Sequence, residues 1–522
     1  MKQRFEKRLA AITAVTDDVL CGGLKGVEKE ALRVDADGLL SMKRHPASLG
    51  SALTNRYITT DFSESLLEFV TPAFVTTWEA LQCLCDIHQF TYSQLDGELL
   101  WPASMPCLIP DNDDIPLAKY GSSNVGRMKT IYRRGLGYRY GRQMQLISGV
   151  HFNYSLPRDF WPVYQQHLGS DLDAEQFRSE HYLGLIRNFR RMGWLVLYLF
   201  GASPAFCRSF TSGAAGRMKS LEANTFFGPY ATSLRMSDLG YSNQNQSKIN
   251  ISLNSLDEYV GDLKAAICTP EPEYKAIGVK VDGKYRQLNA NLLQIENEFY
   301  SPVRPKRVAK TGERPTAALR RDGIEYVEIR SLDINPFDPS GINQNTMRFV
   351  EAMLIYCLLE DSPKLDAEAL TEISLNHAGT AKRGRDPEFR LLRNGLPVTL
   401  QVWGSEILSN VLAVAEVIDR NDAQASYADS VRQMQKLVDD PGKTPSARML
   451  ADLEETQSSF FEYALTLANS HRDYFASVTP LEDARREVFE KEVAESLLRQ
   501  EAIEAADNIS LDQYLQLYFS DC

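Results

Sequence analysis

The residues of this sequence that could do chemistry are carboxylates and cations that alternate with apolar residues in short segments. In the segment 326–333, Tyr326, Glu328 and Arg330 alternate with Val327 and Ile329. Successive side chains of a strand point to opposite faces, so the polar residues share one face. Glu328 and Arg330, about 7 Å apart, could hold a cation and an anion side by side, as a metal-bound phosphate requires. A solvated face of an antiparallel sheet is the alternative for one such strand.

Other segments repeat this pattern with further acidic residues and one histidine. Glu28 and Glu30 share a face of a predicted strand at 27–34, and Glu68 interrupts an apolar strand at 66–70 that follows Asp61. His151 lies with Gln145 on the polar face of a strand predicted over 144–157. An oxygen-rich ligand set with a single histidine suits Mg²⁺ or Mn²⁺ better than Zn²⁺.

Basic residues could bind the anion that such a metal would carry. The Gly- and Ser-rich stretch 120–135 is predicted to be a loop, and 301–307 a stiff basic connector. Neither a GxGxxG fingerprint nor a P-loop is present. The candidate cations are Arg127, Lys129, Arg133, Arg235, Arg304, Lys306, Arg307 and Arg330. If these groups converge on the carboxylates, the site suits ATP-dependent chemistry.

The elements that must position these residues are strands in the first two thirds of the chain and helices in the last third. Two further strands are predicted at 248–254 and 287–300, the second with Gln294, Glu296, Glu298 and Tyr300 on one face. Helical patterns occur at 78–96 and 180–200 and dominate from about residue 346. We therefore predict a catalytic part over 1–345 and a helical part over 346–522 that packs on it without being an independent domain.

Composition restricts the class of partner. The 522 residues are 43% hydrophobic and 24% charged, with a formal net charge of −12. An acidic chain is a poor candidate for binding nucleic acid or an anionic membrane, so we expect small-molecule partners. Eight cysteines at irregular spacings predict free thiols, mostly buried, in a reducing cytosol. No export signal or membrane-spanning run is evident, which predicts a cytoplasmic protein.

Five of these segments together resemble the glutamate–cysteine ligase family of the proteobacterial type. They are GVEKEALRV at 26–34, TTDFSESLLEFVTP at 59–72, ISGVHFN at 147–153, QIENEFY at 294–300 and YVEIRSLDINPF at 326–337. The resemblance implies an α+β, glutamine-synthetase-like fold, with an antiparallel sheet curved into a funnel and helices outside. It also implies ATP-dependent ligation of the γ-carboxylate of L-glutamate to the amine of L-cysteine through γ-glutamyl phosphate, the first step of glutathione biosynthesis.

The resemblance also implies roles for individual residues, with ATP as co-substrate and Mg²⁺ (or Mn²⁺) as the metal. We expect a monomeric protein, although nothing in the sequence determines the oligomeric state. Arg133 would stabilise the phosphoryl group, Gln145 and Arg330 would place glutamate and phosphate, and Lys306 is a candidate for binding the nucleotide. The implied metal ligands are Glu28, Glu30, Asp61, Glu68, His151 and Glu328. The implied cysteine side is formed by Phe62, Tyr132, Arg235, Tyr241 and Tyr300.

Three alternative functions remain open from the residues. The first is a related ligase that joins glutamate to a different amine. The second is a phosphotransferase that makes a stable phosphorylated product, and the third is a metal-dependent binding protein without turnover.

Overall fold

A computed structural model describes residues 2–15, 18–210, 218–221, 224–240, 249–310, 312–421 and 426–520. The strands are β1 (Leu24–Val34), β2 (Ile58–Thr60), β3 (Leu66–Val70), β4 (Leu99–Leu100), β5 (Gly149–Ser155), β6 (Ala205–Cys207), β7 (Lys219–Leu221), β8 (Thr225–Phe227), β9 (Lys280–Val281), β10 (Lys284–Tyr285), β11 (Val303–Lys306), β12 (Tyr326–Asp333), β13 (Leu391–Arg393) and β14 (Leu396–Val398).

Helices surround these strands. They are α1 (Lys2–Thr13), α2 (Thr77–Gln94), α3 (Asn124–Tyr140), α4 (Phe160–Leu168), α5 (Ala174–Met192), α6 (Trp194–Phe200), α7 (Leu256–Cys268), α8 (Pro272–Ile277), α9 (Pro315–Asp322), α10 (Gln344–Leu359), α11 (Ala367–Arg383), α12 (Leu400–Asp419), α13 (Ser426–Asp439), α14 (Pro445–Thr456), α15 (Phe460–Ser477), α16 (Asp483–Ala506) and α17 (Leu511–Tyr518).

The main sheet has the order β11-β12-β5-β1-β3-β2, with β4 beside the end of β1. Neighbouring strands are antiparallel throughout this sheet. A bulge between Ile329 and Leu332 shifts the register of β12 against β5, and such bulges bend a strand and increase its twist. The mixture of an antiparallel sheet with surrounding helices is the α+β class predicted from the sequence.

Alternation along the strands separates an apolar face of this sheet from a polar one. Val27, Phe152 and Ile329 are fully buried and belong to one hydrophobic core with Leu185 of α5 and Phe349 of α10. Each residue that intervenes along these strands therefore points to the other face. That face carries the carboxylates and cations.

Several predicted strands are correct and others are wrong. Strands form at 24–34, 66–70 and 326–333 as expected, but the segment predicted at 144–157 begins with a 3₁₀ turn over Gln143–Leu146, and β5 starts only at Gly149. The stretch 120–135, predicted to be a loop, instead enters α3, because the Ser123 hydroxyl accepts the Gly126 N–H as an N-cap. The predicted connector at 301–307 contains β11, the edge strand beside β12.

No strand occurs at 287–300, nor in 249–254, the described part of the strand predicted at 248–254. In 287–300, side-chain oxygens accept backbone N–H groups that would otherwise hydrogen-bond to a neighbouring strand. Gln294 Oε1 accepts the Leu288 N–H at 3.0 Å, and Glu298 Oε2 accepts the Gln294 N–H at 2.7 Å. Residues 296–298 form a 3₁₀ turn.

The helices after residue 344 pack directly on the catalytic part. The core that contains the main sheet also includes Val411 of α12 and Val431 of α13.

Six cysteines are free thiols, but Cys268 is disulfide-bonded, so the prediction of free thiols is wrong for that residue. No helix among the described residues combines the length and the apolar character needed to cross a bilayer.

Candidate active site

A cavity of about 720 Å³ lies over the polar face of the main sheet. Strands β1, β3, β5, β11 and β12 form its floor, and α3 and the segment around Tyr300 form its walls. The predicted site residues that line it are Glu28, Glu30, Asp61, Phe62, Glu68, Tyr132, Arg133, Gln145, His151, Tyr300, Lys306, Glu328 and Arg330.

Strand register brings the acidic residues together at the centre of the floor. Glu28 is paired with His151 across β1 and β5, and Glu30 is paired with Glu68 across β1 and β3. Facing residues of antiparallel strands lie about 5 Å apart. Ligand atoms of Glu28, Glu68 and His151 accordingly lie within 4.8 Å of one another.

Hydrogen bonds fix the orientation of these groups. His151 Nδ1 lies 3.1 Å from Glu28 Oε2, and the Asn153 amide donates to Glu28 Oε1 at 2.9 Å. Glu30 Oε2 accepts the Gly149 N–H at 2.6 Å, and Glu30 Oε1 lies 3.9 Å from His151 Nε2. Each carboxylate therefore has a defined position before any ligand binds.

The carboxylates of this cluster differ in their affinity for protons. Burial, and then the negative charges of Glu28, Asp61 and Glu30, raise the pKa of Glu68 well above its usual range. Burial also raises the pKa of Glu30. Burial acts in the same direction on Glu28, but the hydrogen bond and charge of His151 leave its pKa below the usual value. Buried carboxylates that raise one another's pKa by mutual repulsion are characteristic of a metal site.

Cations form the other side of the cavity. Glu328 is 1% exposed and lies 3.2 Å from Lys306 Nζ and 3.3 Å from Arg330 Nη1. Burial would raise the pKa of Glu328, but Lys306 and Arg330 hold it well below its usual range. The carboxylate is therefore ionised, and the two cations lie where they can also contact a second anion.

Arg235 lies beneath this region and supports Arg330. Its side chain is 1% exposed, its Nη2 donates to the Arg330 carbonyl at 3.0 Å, and its Nη1 lies 3.7 Å from Asp333. A Cβ at position 149 would overlap the Arg235 guanidinium, so any residue other than glycine there would displace Arg235. The Tyr300 hydroxyl donates to the sulfur of Met236 at 3.0 Å, and the Arg330 guanidinium lies 5.9 Å from the centre of the Tyr300 ring.

Helix α3 forms a wall of the cavity and carries Tyr132 and Arg133. Arg133 donates to the Asp61 carbonyl, lies 3.8 Å from the Asp61 carboxylate and stacks 4.6 Å from the Tyr120 ring centre. At the end of the helix, Arg139 forms a fully buried ion pair with Glu298 at 2.9 Å. This pair ties α3 to the segment that bears Tyr300.

Not every candidate residue reaches the cavity. Arg127 and Arg307 do not line it, and Arg307 instead donates to the Gly323 carbonyl. Glu296 points away and pairs with Arg314 at 3.0 Å, a consequence of the 3₁₀ turn that replaces the predicted strand. Gln145 lines the cavity from the 3₁₀ turn before β5, not from the strand predicted for it. Tyr241 lies outside the described residues.

Some residues in and beside the cavity were not predicted to have a role. Asn153, which holds Glu28, lies opposite Glu328 in the sheet, and its place on the polar face of a strand was a usable signal. The pairing of Arg139 with Glu298 left no such signal, because the two residues are separated by 159 positions and lie on elements of different type.

The arrangement combines a carboxylate cluster suited to a hard divalent cation with cations suited to phosphate oxygens. Both groups lie in one cavity whose volume is within the range of small-molecule sites. Phosphoryl transfer needs both features, because charge on the transferring oxygens has to be neutralised from more than one side.

Comparisons with known proteins identify relatives of the whole chain. The glutamate–cysteine ligase family model matches residues 9–379. A glutamate–cysteine ligase of Alcanivorax borkumensis is 48% identical, with 100% of this chain and 99% of that protein covered. One from Pseudomonas putida is 46% identical over 99% and 98% of the two chains. The crystal structure of a glutamate–cysteine ligase from Francisella tularensis in complex with AMP is similar, with a TM-score of 0.90, 35% identity, and 96% and 98% of the chains covered.

Proposed function

The chain belongs to the glutamate–cysteine ligase family, and on that premise we propose that the cavity over the main sheet is its active site. The protein is an ATP-dependent ligase that forms γ-glutamylcysteine from L-glutamate and L-cysteine, the first step of glutathione biosynthesis. Its fold is the glutamine-synthetase-like α+β fold expected from the sequence. The residue roles that follow are our proposals.

One observation carries the assignment of the active site. Carboxylates at Glu28 and Glu68 and the imidazole of His151 lie within 4.8 Å of one another, and the Glu328–Lys306–Arg330 group lines the same cavity. A site that only bound a metal would not need the cations. A site that only bound an anion would not bury this many carboxylates, because each is costly without a compensating positive charge.

The residues fit Mg²⁺ or Mn²⁺. The donors are mostly carboxylate oxygens with one imidazole, and they are crowded closely enough that the charges of Glu28, Asp61 and Glu30 raise the pKa of Glu68. We propose that Glu28, Glu30, Asp61, Glu68, His151 and Glu328 hold the metal ions. When bound, such ions neutralise phosphate oxygens and polarise the transferring group.

For the first half of the reaction we assign the cations to phosphate. An oxygen of the glutamate γ-carboxylate attacks the γ-phosphorus of ATP, forming an O–P bond as the bond to ADP breaks. Arg133, which lies beside Asp61, would stabilise the transferring phosphoryl group. Arg330 and Gln145 would position glutamate and phosphate, and Lys306 would contact the nucleotide phosphates.

In the second half, the amine of cysteine attacks the acyl carbon of γ-glutamyl phosphate. The C–N bond forms, phosphate leaves with the electron pair of the C–O bond, and the amine loses a proton. Phe62, Tyr132, Arg235, Tyr241 and Tyr300 are proposed for the cysteine side. Among the described members of this set, Phe62 is 1% exposed and Tyr300 lies beside Arg330, so the region offers both an apolar wall and a cation.

Three further proposals concern the whole chain. Residues 346–522 act as a support for the catalytic part and not as an independent domain, because their helices share its hydrophobic core. The protein works as a monomer, because the proposed site is built from one chain. It works in the cytoplasm, where ATP and a reduced thiol substrate are available.

The decisive experiment measures phosphate release from ATP with Mg²⁺ and glutamate, with and without cysteine, and identifies the product by mass. We expect release to rise with cysteine and to yield γ-glutamylcysteine. Variants of the proposed ligands should lose this release while remaining folded. Release that is independent of cysteine, or variants with full activity, would contradict the proposed site.

A further inference from the structure

A second cavity, of about 1150 Å³, lies on the other side of α3. Its walls come from α3, from the β9–β10 hairpin, from residues 44–52 and from the ends of α16 and α17. It shares no lining residue with the substrate cavity. The two cavities are therefore separate, and α3 forms a wall of both.

The lining of this second cavity is strongly basic in a chain whose net charge is −12. Its acidic lining residues are Glu64 and Asp282. Its cations are Arg44, Lys119, Arg127, Arg134, Lys284 and Arg286. Positive charges collected in one concave surface raise the local concentration of anions.

The cations of this cavity make no close ion pair with a carboxylate of the described chain, although Arg127 acts at longer range on Asp512. None of the six forms an ion pair within the described residues, where other surface cations such as Lys280 do. Arg134 and Arg286 donate only to backbone carbonyls, of Tyr285 at 2.7 Å and Ile277 at 3.0 Å. Those bonds hold the two guanidinium groups in place without cancelling their charge.

The inner wall adds one neutral polar side chain, His45. Both of its ring nitrogens are buried and lack a hydrogen bond of normal geometry among the described residues, although the Gly50 backbone lies close enough to act on the ring. Burial and the neighbouring Arg33 lower the pKa of His45 to about 4, so the ring is neutral near pH 7 and offers one donor and one acceptor.

Helix α3 connects this cavity to the substrate cavity mechanically. Arg127 and Arg134 face the basic cavity, and Lys129 and Arg133 face the substrate cavity. Helix α17 packs on α3 through Leu511, which also lines the basic cavity. A ligand that draws the cations together would thus act on the helix that carries Arg133.

We propose that this basic cavity binds a small anion with two or more negative groups, and that its occupancy changes the rate of ligation through α3. The ligand class comprises phosphorylated metabolites and polycarboxylates, which share closely spaced oxyanions that Arg and Lys bind. Because no residue lines both cavities, the binding test below is independent of the roles proposed for the substrate cavity.

The binding experiment titrates pyrophosphate into the full chain by calorimetry in Mg²⁺-free buffer. The cavity variant replaces two exposed lysines of the lining by glutamine, Lys119→Gln and Lys284→Gln. The control variant replaces two exposed lysines that do not line the cavity, Lys264→Gln and Lys436→Gln. We expect wild type and control to give the same isotherm and the cavity variant to lose affinity at least tenfold in one binding phase. Superimposable isotherms for all three proteins would overturn the proposal.

A citrate titration then distinguishes the two sources of the anion. Citrate binding that is lost in the same variant extends the site to polycarboxylates, and binding of pyrophosphate alone restricts it to phosphates. Either result supports a specific anion-binding site in this cavity. Thermal melts check that each variant is folded, and Arg44→Gln provides a second, independent removal of a cavity cation if the double variant melts early.

The coupling experiment measures kcat at saturating ATP, glutamate and cysteine with and without pyrophosphate, with Mg²⁺ kept in excess over ATP and pyrophosphate together. Competition at the substrate cavity disappears at saturation, so a remaining change in kcat reports an effect from elsewhere. We expect this change in wild type and in the Lys264/Lys436 control and its absence in the Lys119/Lys284 variant. An equal change in all three proteins would refute transmission through α3.

Discussion

Replacing Glu328 by glutamine removes one negative charge from the proposed metal site and leaves the shape of the side chain unchanged. The carboxylate is 1% exposed and lies between Lys306 and Arg330, at 3.2 and 3.3 Å. It also lies opposite Asn153 in the sheet, which in turn holds Glu28. The substitution therefore affects both the metal cluster and the cations at once.

The size of the effect follows from these contacts. Loss of a single preorganised electrostatic contact to a developing charge costs about 10²–10³-fold in kcat, or about 2.7–4 kcal/mol. In the proposed site, Glu328 both orients two cations and holds a metal ion. We therefore expect a loss in kcat at or above the upper end of that range. The fold should persist, because the amide keeps the packing and Lys306 and Arg330 remain partly exposed to water.

The assay is γ-glutamylcysteine formation at increasing Mg²⁺, together with urea unfolding. Glu325→Gln is a matched control, since Glu325 precedes the same strand, is 45% exposed and lies 4.0 Å from Arg307. We expect the control to keep full activity and to change the free energy of unfolding by less than about 0.5 kcal/mol. Near-normal activity of Glu328→Gln at ordinary Mg²⁺ would refute the role assigned to Glu328.

Three further predictions follow from the site. Arg139→Met breaks a fully buried ion pair and should lower the free energy of unfolding by about 3–5 kcal/mol, measured in urea. The control Arg432→Met breaks an exposed pair and should change the free energy of unfolding little. Equal urea midpoints for the two variants would contradict this prediction. Because burial and neighbouring charges raise the pKa of Glu68, Mg²⁺ binding should release protons and tighten as pH rises. Calorimetry in two buffers of different ionisation enthalpy measures this release, which should be smaller in Glu68→Gln, and an unchanged release would contradict the role of Glu68. Gly149→Ala should displace Arg235 and lower the free energy of unfolding by about 1–3 kcal/mol. It should also raise the KM for cysteine, and an unchanged KM would count against the role proposed for Arg235.

Alternation in the sequence was sufficient to place the metal-site candidates on the correct face of the sheet. Glu28, Glu30 and Glu328 occupy alternate positions of true strands, so the period of two identified their shared face directly. Their mutual distances depend on the register between β1, β5 and β12, which no local pattern encodes. The resemblance to a family supplied what periodicity could not.

The failures have a common physical cause. In 287–300, alternating polar residues suggested a strand, but the Gln294 and Glu298 side chains accept backbone N–H groups and replace the hydrogen bonds of a ladder. In 120–135, glycines suggested a loop, although the cap at Ser123 and packing against Leu511 and Leu515 of α17 stabilise a helix. In both places side-chain contacts outweighed the local pattern: local hydrogen bonds in 287–300, and a local cap together with packing against α17 in 120–135.

The order of strands in the main sheet determines when the site can assemble during synthesis. Strand β5 lies between β1 and β12 in the sheet. In the chain, β1, which carries Glu28, and β12, which carries Glu328, are separated by about 300 residues. At about 5–20 residues per second, β12 leaves the ribosome roughly 15–60 s after β1. Strand β5 emerges within that interval, about 170 residues before β12, so for roughly 9–34 s one of its edges has no strand to pair with. Phe152 and Tyr154 meanwhile lack the apolar side chains of β12 beside them. A nascent chain that stops before residue 303 would hold β1, β3 and β5 without Lys306 and Glu328, and the open edge of its sheet makes it a substrate for chaperones before it is an enzyme.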